Sequence, residues 1–211
     1  QRQMCIRDRI YNEEMKIADI PTVFHEIETN GIGYLDLMFD LSDVPEKDLP
    51  MVGLLQAVLG IIDTEHYEYG ELFNEINRHT GGIGTSLELY PDVTKVKEKE
   101  FKATFEIKGK ALYGQIPFAI RMMKEILTAS KLDDEKRLKE ILSMTKTRLQ
   151  DRFLSAGHSA AALRAMSYKS PISKFKDTTN GIEYYQNIRE MEEHFDAVSY
   201  THLRAHETTL H

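Results

Sequence analysis

The sequence contains a single cysteine, Cys5, among its 211 residues. One cysteine cannot form a disulfide within the chain, so the cysteine content leaves the redox compartment open. Long apolar runs are also missing, since the longest, at residues 51–62, has about a dozen residues, whereas a membrane-spanning helix needs about 20. The opening residues lack the apolar segment of a secretory signal peptide. We therefore expect a soluble protein of the cytoplasm or an organelle matrix, without a membrane partner.

The chain also lacks an excess of positive charge. Its 27 lysines and arginines are outnumbered by 34 aspartates and glutamates, which gives a formal net charge of −7. A nucleic-acid surface requires a basic face, so we expect no nucleic-acid partner. The acidic balance permits a basic partner, although a solvated acidic surface is the simpler interpretation. With 41% hydrophobic residues, the chain can bury one core and form one domain or slightly more.

Both ends of the chain resemble in-frame translations of the transposon adapters used to prepare sequencing libraries. The opening string is "QRQMCIRDR" and the closing one is "VSYTHLRAHET". The closing residues are also poor helix material, because they have β-branched threonines and no apolar face. We expect residues 1–9 and 198–211 to be adapter-derived, and the chain to be a fragment of a longer protein.

The first strand signal after these ends lies at residues 29–42, "TNGIGYLDLMFDLS". Asn30-Gly31 is a turn signal, and the apolar side chains that follow occupy both faces of the strand, which predicts that both faces are at least partly covered. The set on one face is Leu35, Leu37, Phe39 and Leu41, and on the other Ile32, Tyr34 and Met38. Next, residues 51–62 are apolar almost all round and predict a buried helix, with Asp48 as a candidate cap and Pro50 in the first turn.

A second helix and a strand pair follow. "YGELFNEINRHTGG" places Leu72, Phe73 and Ile76 on one helical face and ends at a glycine stop. Residues 83–91 then predict a strand, and residues 100–109 predict an antiparallel partner whose outer side is exposed. In that partner, charged residues alternate with Phe101, Ala103, Phe105 and Ile107.

Long helices complete the pattern. Residues 115–130 predict a helix, and a second begins at Asp133, its candidate cap, and continues past Gly157 to about residue 166. A last helix takes residues 181–195. The element order predicts the α+β class, with a mainly antiparallel sheet and helices packed on one face. The side chains expected to be buried by the first of these helices are Phe118, Ile120, Met123, Ile126 and Leu127.

A zinc site is the first chemistry to consider. His202 and His206 are four residues apart with Glu207 next, a spacing at which two imidazoles on one helix face can share zinc. They lie, however, in the segment expected to be adapter-derived. The rest of the chain has neither the "HExxH" nor the "HxxEH" order. Its histidines are therefore interpreted as surface or packing residues: His25, His66, His79, His158 and His194.

The glycine-rich phrase "TGGIG" at residues 80–84 raises the alternative of a phosphate loop. Phosphate loops run from a strand to a helix, whereas here a helix precedes the glycines and a strand follows. A helix stop is the favoured interpretation. The second alternative is a strand edge at which glycines let a peptide backbone approach closely.

The phrase "SAGHSAAALR" raises the alternative of a nucleophile, through Ser155, His158 and Ser159. Adjacent residues on a helix point in different directions, and the glycine-serine-glycine elbow is missing. Small residues that allow close helix packing are the favoured interpretation. The sequence therefore predicts no catalytic or metal residue in this chain and leaves the substrate-binding residues unknown.

Five phrases together resemble the presequence-protease subgroup of the insulinase-like, or pitrilysin-type, zinc metallopeptidases. They are "IADIP", "TNGIGYLDLMFDLS", "INRHTGGIGTS", "GHSAAALRAMSYKSP" and "GIEYYQNIREM". The resemblance runs in order over nearly all of residues 10–197. It is to the third of four homologous α+β domains, so residues 10–28 correspond to the end of a linker and residues 29–197 to a non-catalytic domain.

The resemblance implies a large peptidase whose two halves close around peptides, with zinc held in another domain. At the place of the metal helix this chain has "VGLLQAVLG", so no zinc ligand or base is carried over and the fragment itself needs no cofactor. The implied partners are the other domains of the parent chain and peptide substrates. The expected function is a fragment of a zinc metalloendopeptidase that degrades unfolded peptides, in which this domain walls the substrate chamber. The alternative is a free-standing peptide-binding or scaffold domain.

Overall fold

Three strands form an antiparallel sheet, and a separate two-stranded hairpin precedes it in the chain. A computed structural model describes residues 12–91 and 100–195. The strands are β1 Asn12–Ile17, β2 Ile20–His25, β3 Ile32–Asp40, β4 Ile83–Pro91 and β5 Phe101–Leu112. The helices are α1 Leu49–Val58, α2 Tyr69–His79, α3 Ile116–Thr128, α4 Glu135–Ser167, α5 Pro171–Asn180 and α6 Ile182–Glu193. The predicted α+β class is confirmed.

The main sheet has the order β3-β5-β4, with β5 in the centre. In its register Phe105 lies opposite Phe39 of β3 and Leu87 of β4, so these three side chains share one face. Phe105 and Ile107 are fully buried in the core that the helices complete. The alternation of apolar residues in β5 thus correctly predicted its core side.

The opposite side of the sheet departs from the prediction in two ways. On β3, Tyr34 is 68% exposed and Met38 is 53% exposed, so the expected cover over both faces of this strand is wrong. On β5, Thr104 and Glu106 are buried instead of exposed. Both differences arise because β5 is the central strand: neighbouring side chains from β3 and β4 enclose its polar residues, whereas the edge strand β3 stays open.

The early helices begin and end close to the predicted positions. Helix α1 is buried as predicted but ends at Val58 rather than residue 62, because Gly60 adopts a left-handed φ of 86°. Asp48 precedes the helix without a side-chain capping hydrogen bond. Two side chains predicted to be buried are wrong: Phe73 on α2 is 62% exposed and Ile120 on α3 is 51% exposed.

Helix α4 is capped by Asp134, not by the predicted Asp133, and its carboxylate accepts a hydrogen bond from the Arg137 N–H at 2.9 Å. The helix is bent at Ala156, whose φ of −137° and ψ of 39° are non-helical. Helix α5 is an additional element that was not predicted. Ser170 caps it and Pro171 occupies its first turn.

The hairpin β1-β2 occupies residues that were predicted to be the end of a linker. Its two-residue loop, Ala18 and Asp19, has φ values of 49° and 66°, which is the pattern of a type I′ turn. Ile17 and Ile20 are paired next to the loop and are both more than half exposed. Residues 12–25 therefore form a hairpin with large apolar side chains on its surface.

Candidate functional site

The histidines considered from the sequence are dispersed across the described residues. His66 Nδ1 lies 3.0 Å from Glu125 Oε1, His79 packs on the Phe118 ring with centroids 4.7 Å apart, and His194 contacts the backbone of α6. In residues 12–91 and 100–195, no group of three or more His, Cys, Asp or Glu side chains is placed to hold a metal ion. Cys5, His202, His206 and Glu207 lie outside the described residues, so the zinc interpretation of the tail stays a prediction.

The helix α1, at the place where the resemblance expects a metal helix, does not fit zinc. Its buried side chains include Val52, Leu54 and Leu55, and aliphatic groups supply no nitrogen, sulfur or oxygen ligand. Gly53 is packed tightly, because an added Cβ would lie 2.6 Å from the Thr179 carbonyl oxygen. This helix is therefore a packing element of the core.

The glycine phrase at residues 80–84 forms a helix stop followed by a strand, as predicted. Thr80 Oγ1 donates to the Ile76 carbonyl at 2.7 Å and accepts from the Gly82 N–H at 3.0 Å. Gly82 has a φ of 114°, a conformation that favours glycine. The chain then enters β4 at Ile83, and an edge strand begins directly after the stop.

The serine-rich phrase of α4 does not form a nucleophile site. Ser155 Oγ donates to the Arg152 carbonyl at 3.2 Å, and His158 is exposed. The predicted close helix packing is wrong at Gly157, since nothing among the described residues lies within 4 Å of its added Cβ. The small residues after the kink instead expose one side of the helix.

An ionic cluster that was not predicted holds the kinked half of α4 against α5 and α6. Arg164 Nη1 lies 2.5 Å from Asp177 Oδ2 and 2.9 Å from Glu183 Oε2. Lys174 Nζ lies 2.7 Å from the same Glu183 carboxylate. Asp177 is fully buried, and its Oδ1 accepts the Ile182 N–H at 2.9 Å, which caps α6. The cluster fixes three helices to one another.

The main functional candidate is the open face, defined as the side of the main sheet that points away from the helices. The register places Asp36 beside Lys108, Met38 beside Glu106, and Glu106 beside Ser86 on this side. Exposed tyrosine, methionine and charged groups therefore share one surface. Its main side chains are Tyr34, Asp36, Met38, Asp40, Glu88, Tyr90, Lys102, Thr104, Glu106 and Lys108.

Glu106 lies at the centre of the open face and has no exposed surface. Its Oε1 accepts hydrogen bonds from Tyr90 Oη at 2.8 Å and from Thr104 Oγ1 at 2.5 Å. Its Oε2 lies 2.7 Å from Lys108 Nζ, and that ammonium also lies 3.1 Å from Glu88 Oε1. Every donor reaches the carboxylate from a neighbouring position of the sheet.

Burial alone would raise the pKa of Glu106, but hydrogen bonds from Lys108, Thr104 and Tyr90 outweigh burial and lower it. The same contact raises the pKa of Tyr90 to about 12 and raises that of Lys108. Burial, followed by the Glu106 charge, raises the pKa of Asp36. Three carboxylates thus surround one ammonium, so the patch is acidic at neutral pH. The sequence shows no signal for this cluster, because a glutamate between apolar strand residues normally faces solvent.

Comparison with known families identifies the chain. The profile of the family described as "Peptidase M-16C associated" matches residues 2–191. The chain belongs to this family. The resemblance to presequence proteases is confirmed, although the adapter origin of the two ends stays a prediction.

Relatives of this peptidase-associated chain are much longer. Protein HypA of Clostridium perfringens is 34% identical over 184 residues, covering 87% of the chain and 19% of HypA. Presequence protease 1, chloroplastic/mitochondrial, of Arabidopsis thaliana is 25% identical over 181 residues, or 85% of the chain and 16% of that protein. The mitochondrial presequence protease of Mus musculus is 26% identical over 179 residues, or 85% and 17%. The chain spans less than a fifth of each.

The helices give one further structural finding. Within residues 12–91 and 100–195, none of them combines the length and the apolar character required to cross a bilayer. Even α4, with 33 residues, carries charged side chains along much of its length.

Proposed function

We propose that this chain is a non-catalytic part of a zinc metalloendopeptidase that degrades unfolded peptides, and that its open face walls the chamber in which those peptides are held. The observation that carries the proposal is the open face itself. An antiparallel sheet buries one side in its own core and can present the other to a ligand. Here that second side combines exposed apolar groups, Tyr34 and Met38, with an acidic patch around Glu106.

This surface suits a chamber that accepts many sequences. Aromatic and methionine side chains adapt to varied apolar partners, and a fixed acidic patch attracts basic residues without requiring one geometry. Two relatives are named presequence proteases, which supports an assignment of the parent to peptide hydrolysis. We assign the zinc and the catalytic residues to other domains of the parent.

The helical side supports a role as one domain among several. It exposes large apolar side chains that a single isolated domain would normally cover. These are the surfaces on which sister domains of the parent would pack, and they include Phe73, Ile120, Met144, Leu154 and Met166.

The proposal is tested by metal analysis and peptidase assay of the purified 211-residue chain. We expect less than about one tenth of a zinc ion per chain after dialysis and no cleavage of an unfolded peptide. The matched control replaces His202 and His206 by alanine, because the tail is the one place with zinc-like spacing. One tight zinc per chain that survives this replacement, together with cleavage activity, would overturn the proposal.

A further inference from the structure

The strand β4 has an unpaired edge beside a groove. Because the sheet order is β3-β5-β4, one side of the β4 backbone pairs with β5 and the other has no neighbouring strand in the described part of the chain. Unpaired N–H and C=O groups at such an edge can template an added strand. Residues 86–89 of β4 line a groove of about 490 Å³, and the opposite wall is α4 around and after its kink.

The groove combines an apolar seat with polar walls. Leu87 and Leu89 contribute from the strand, and Leu163 and Phe175 from the helices. Eight of the fifteen lining residues are polar, so the groove is well solvated. Ser86 Oγ is buried there without a hydrogen-bond partner among the described residues. A permanent strand partner would call for a more apolar lining, which favours an exchangeable ligand.

The charges of the groove favour a carboxylate. Arg152 is held in place by Asn180, whose Oδ1 accepts from Nη1 at 2.9 Å. Lys176 also lines the groove and is exposed. The one carboxylate in the lining, Glu88, already contacts Lys108 at 3.1 Å. Two cations therefore face the groove with little opposing charge, and burial lowers the pKa of Arg152, followed by the neighbouring charge of Arg148.

We propose that this groove binds a free peptide in extended form, which adds as a strand to β4 and places a carboxylate near Arg152 and Lys176. An apolar side chain of the peptide would lie on Leu163 and Phe175. Strand addition gives affinity through the backbone and selects sequence through alternate side chains. Gly84 favours a close approach of the peptide backbone, because open space surrounds its added Cβ. The inference deepens the proposed function and takes from it only the class of ligand.

The test is fluorescence anisotropy of the 211-residue chain with a fluorescein-labelled peptide of alternating threonine and valine that ends in glutamate. We expect saturable binding with a Kd of about 10–100 μM. Ser159→Trp, which fills the groove from α4, should weaken binding at least about tenfold. Its matched control is Ala161→Trp, at an exposed position of the same helix outside the groove, which should leave the Kd unchanged. Lys176→Glu should weaken binding about fivefold.

Two further probes test the geometry. N-methylation of alternate residues along one edge of the peptide blocks strand addition, whereas methylation along the other edge leaves that edge free. We expect one methylated peptide to bind and the other to fail. A version that ends in lysine instead of glutamate should bind more weakly than the parent peptide.

Several outcomes would overturn the proposal. They are no binding at about 1 mM peptide, equal binding of both methylated peptides, or no effect of Ser159→Trp. A dimer of the chain that is broken by Ser159→Trp would assign the groove to a second copy. Binding that is lost in the full-length parent would assign it to a strand of the parent. Peptide binding needs no catalytic domain, so a negative result here, alongside a chain free of zinc and activity, rejects the groove alone.

Discussion

Arg164 on α4 and Asp177 on α5 form an ion pair of 2.5 Å, and Asp177 has no exposed surface. Removal of the cation would leave a buried carboxylate without its main partner, which typically costs about 3–5 kcal/mol. Arg164→Met should therefore lower the free energy of unfolding by about 3 kcal/mol in urea denaturation.

The control for this ion pair is the double variant Arg164→Met with Asp177→Asn. The asparagine removes the buried charge but keeps an oxygen that can accept the Ile182 N–H. It should recover part of the lost stability. A single variant within about 0.5 kcal/mol of the unmodified chain would show that the pair does not hold the helices together.

Gly181, which precedes α6, is predicted to tolerate no side chain. An added Cβ would lie 2.3 Å from Asp177 Oδ1 and 2.6 Å from Asp177 Cα. Gly181→Ala should destabilise the chain by more than about 2 kcal/mol, because backbone would have to move. Gly157→Ala is the matched control: open space surrounds that position on α4, and alanine should stabilise the helix by about 0.5–1 kcal/mol. Thermal unfolding of both variants tests the contrast, and equal effects would reject it.

The ionic patch of the open face predicts an acid-dependent stability. Burial opposes but hydrogen bonds lower the pKa of Glu106 below its ordinary value of 4.5. A lowered pKa stabilises the fold above that ordinary value, and the stabilisation is lost as the pH falls through the folded value. Glu106→Gln should therefore be destabilised at pH 7, and its difference from the unmodified chain should shrink below about pH 4.5.

Urea denaturation across this pH range is the measurement for Glu106. Glu88→Gln is the control, since Glu88 lies on the same face with 42% of its side chain exposed. It should show a smaller effect at every pH, because an exposed ion pair contributes little. A difference for Glu106→Gln that grows on acidification would reverse the sign of the account.

The hairpin β1-β2 should be stabilised by a turn with the residues its conformation prefers. Ala18 and Asp19 both have positive φ, and Asn-Gly is strongly favoured in such turns. The double variant Ala18→Asn with Asp19→Gly should slow amide exchange in residues 12–25 by about fivefold. Exchange in β5 serves as the internal control and should not change. Faster exchange in the hairpin would contradict the assigned turn.

Periodicity predicted the parts of the fold that depend on a single element. The β5 core residues Phe105 and Ile107 alternate as a strand requires, and they are buried. The helix stop before β4 also followed from local chemistry, because glycine conformation and helix termination are properties of a few adjacent residues. These predictions needed no knowledge of neighbouring elements.

The missed features depend on what surrounds an element. Glu106 is buried because β5 is central and its neighbours supply donors, and no pattern within β5 indicates this. Phe73 and Ile120 fit the apolar faces of α2 and α3 yet are exposed, as expected of surfaces that pack on other domains. The Arg164–Asp177 pair joins residues of two helices, one of which was not predicted, so sequence spacing could not reveal it.

The central claim is that the open face meets peptides held by the parent peptidase. Site-specific photocrosslinking tests it most directly, with p-benzoylphenylalanine in place of Tyr34 in an inactive full-length parent and a labelled unfolded peptide as substrate. The matched control carries the same group in place of Met144 on α4, which is 58% exposed on the helical side. The account predicts a labelled product from the position of Tyr34 and little from that of Met144. Equal labelling at both positions, or labelling at Met144 alone, would contradict it.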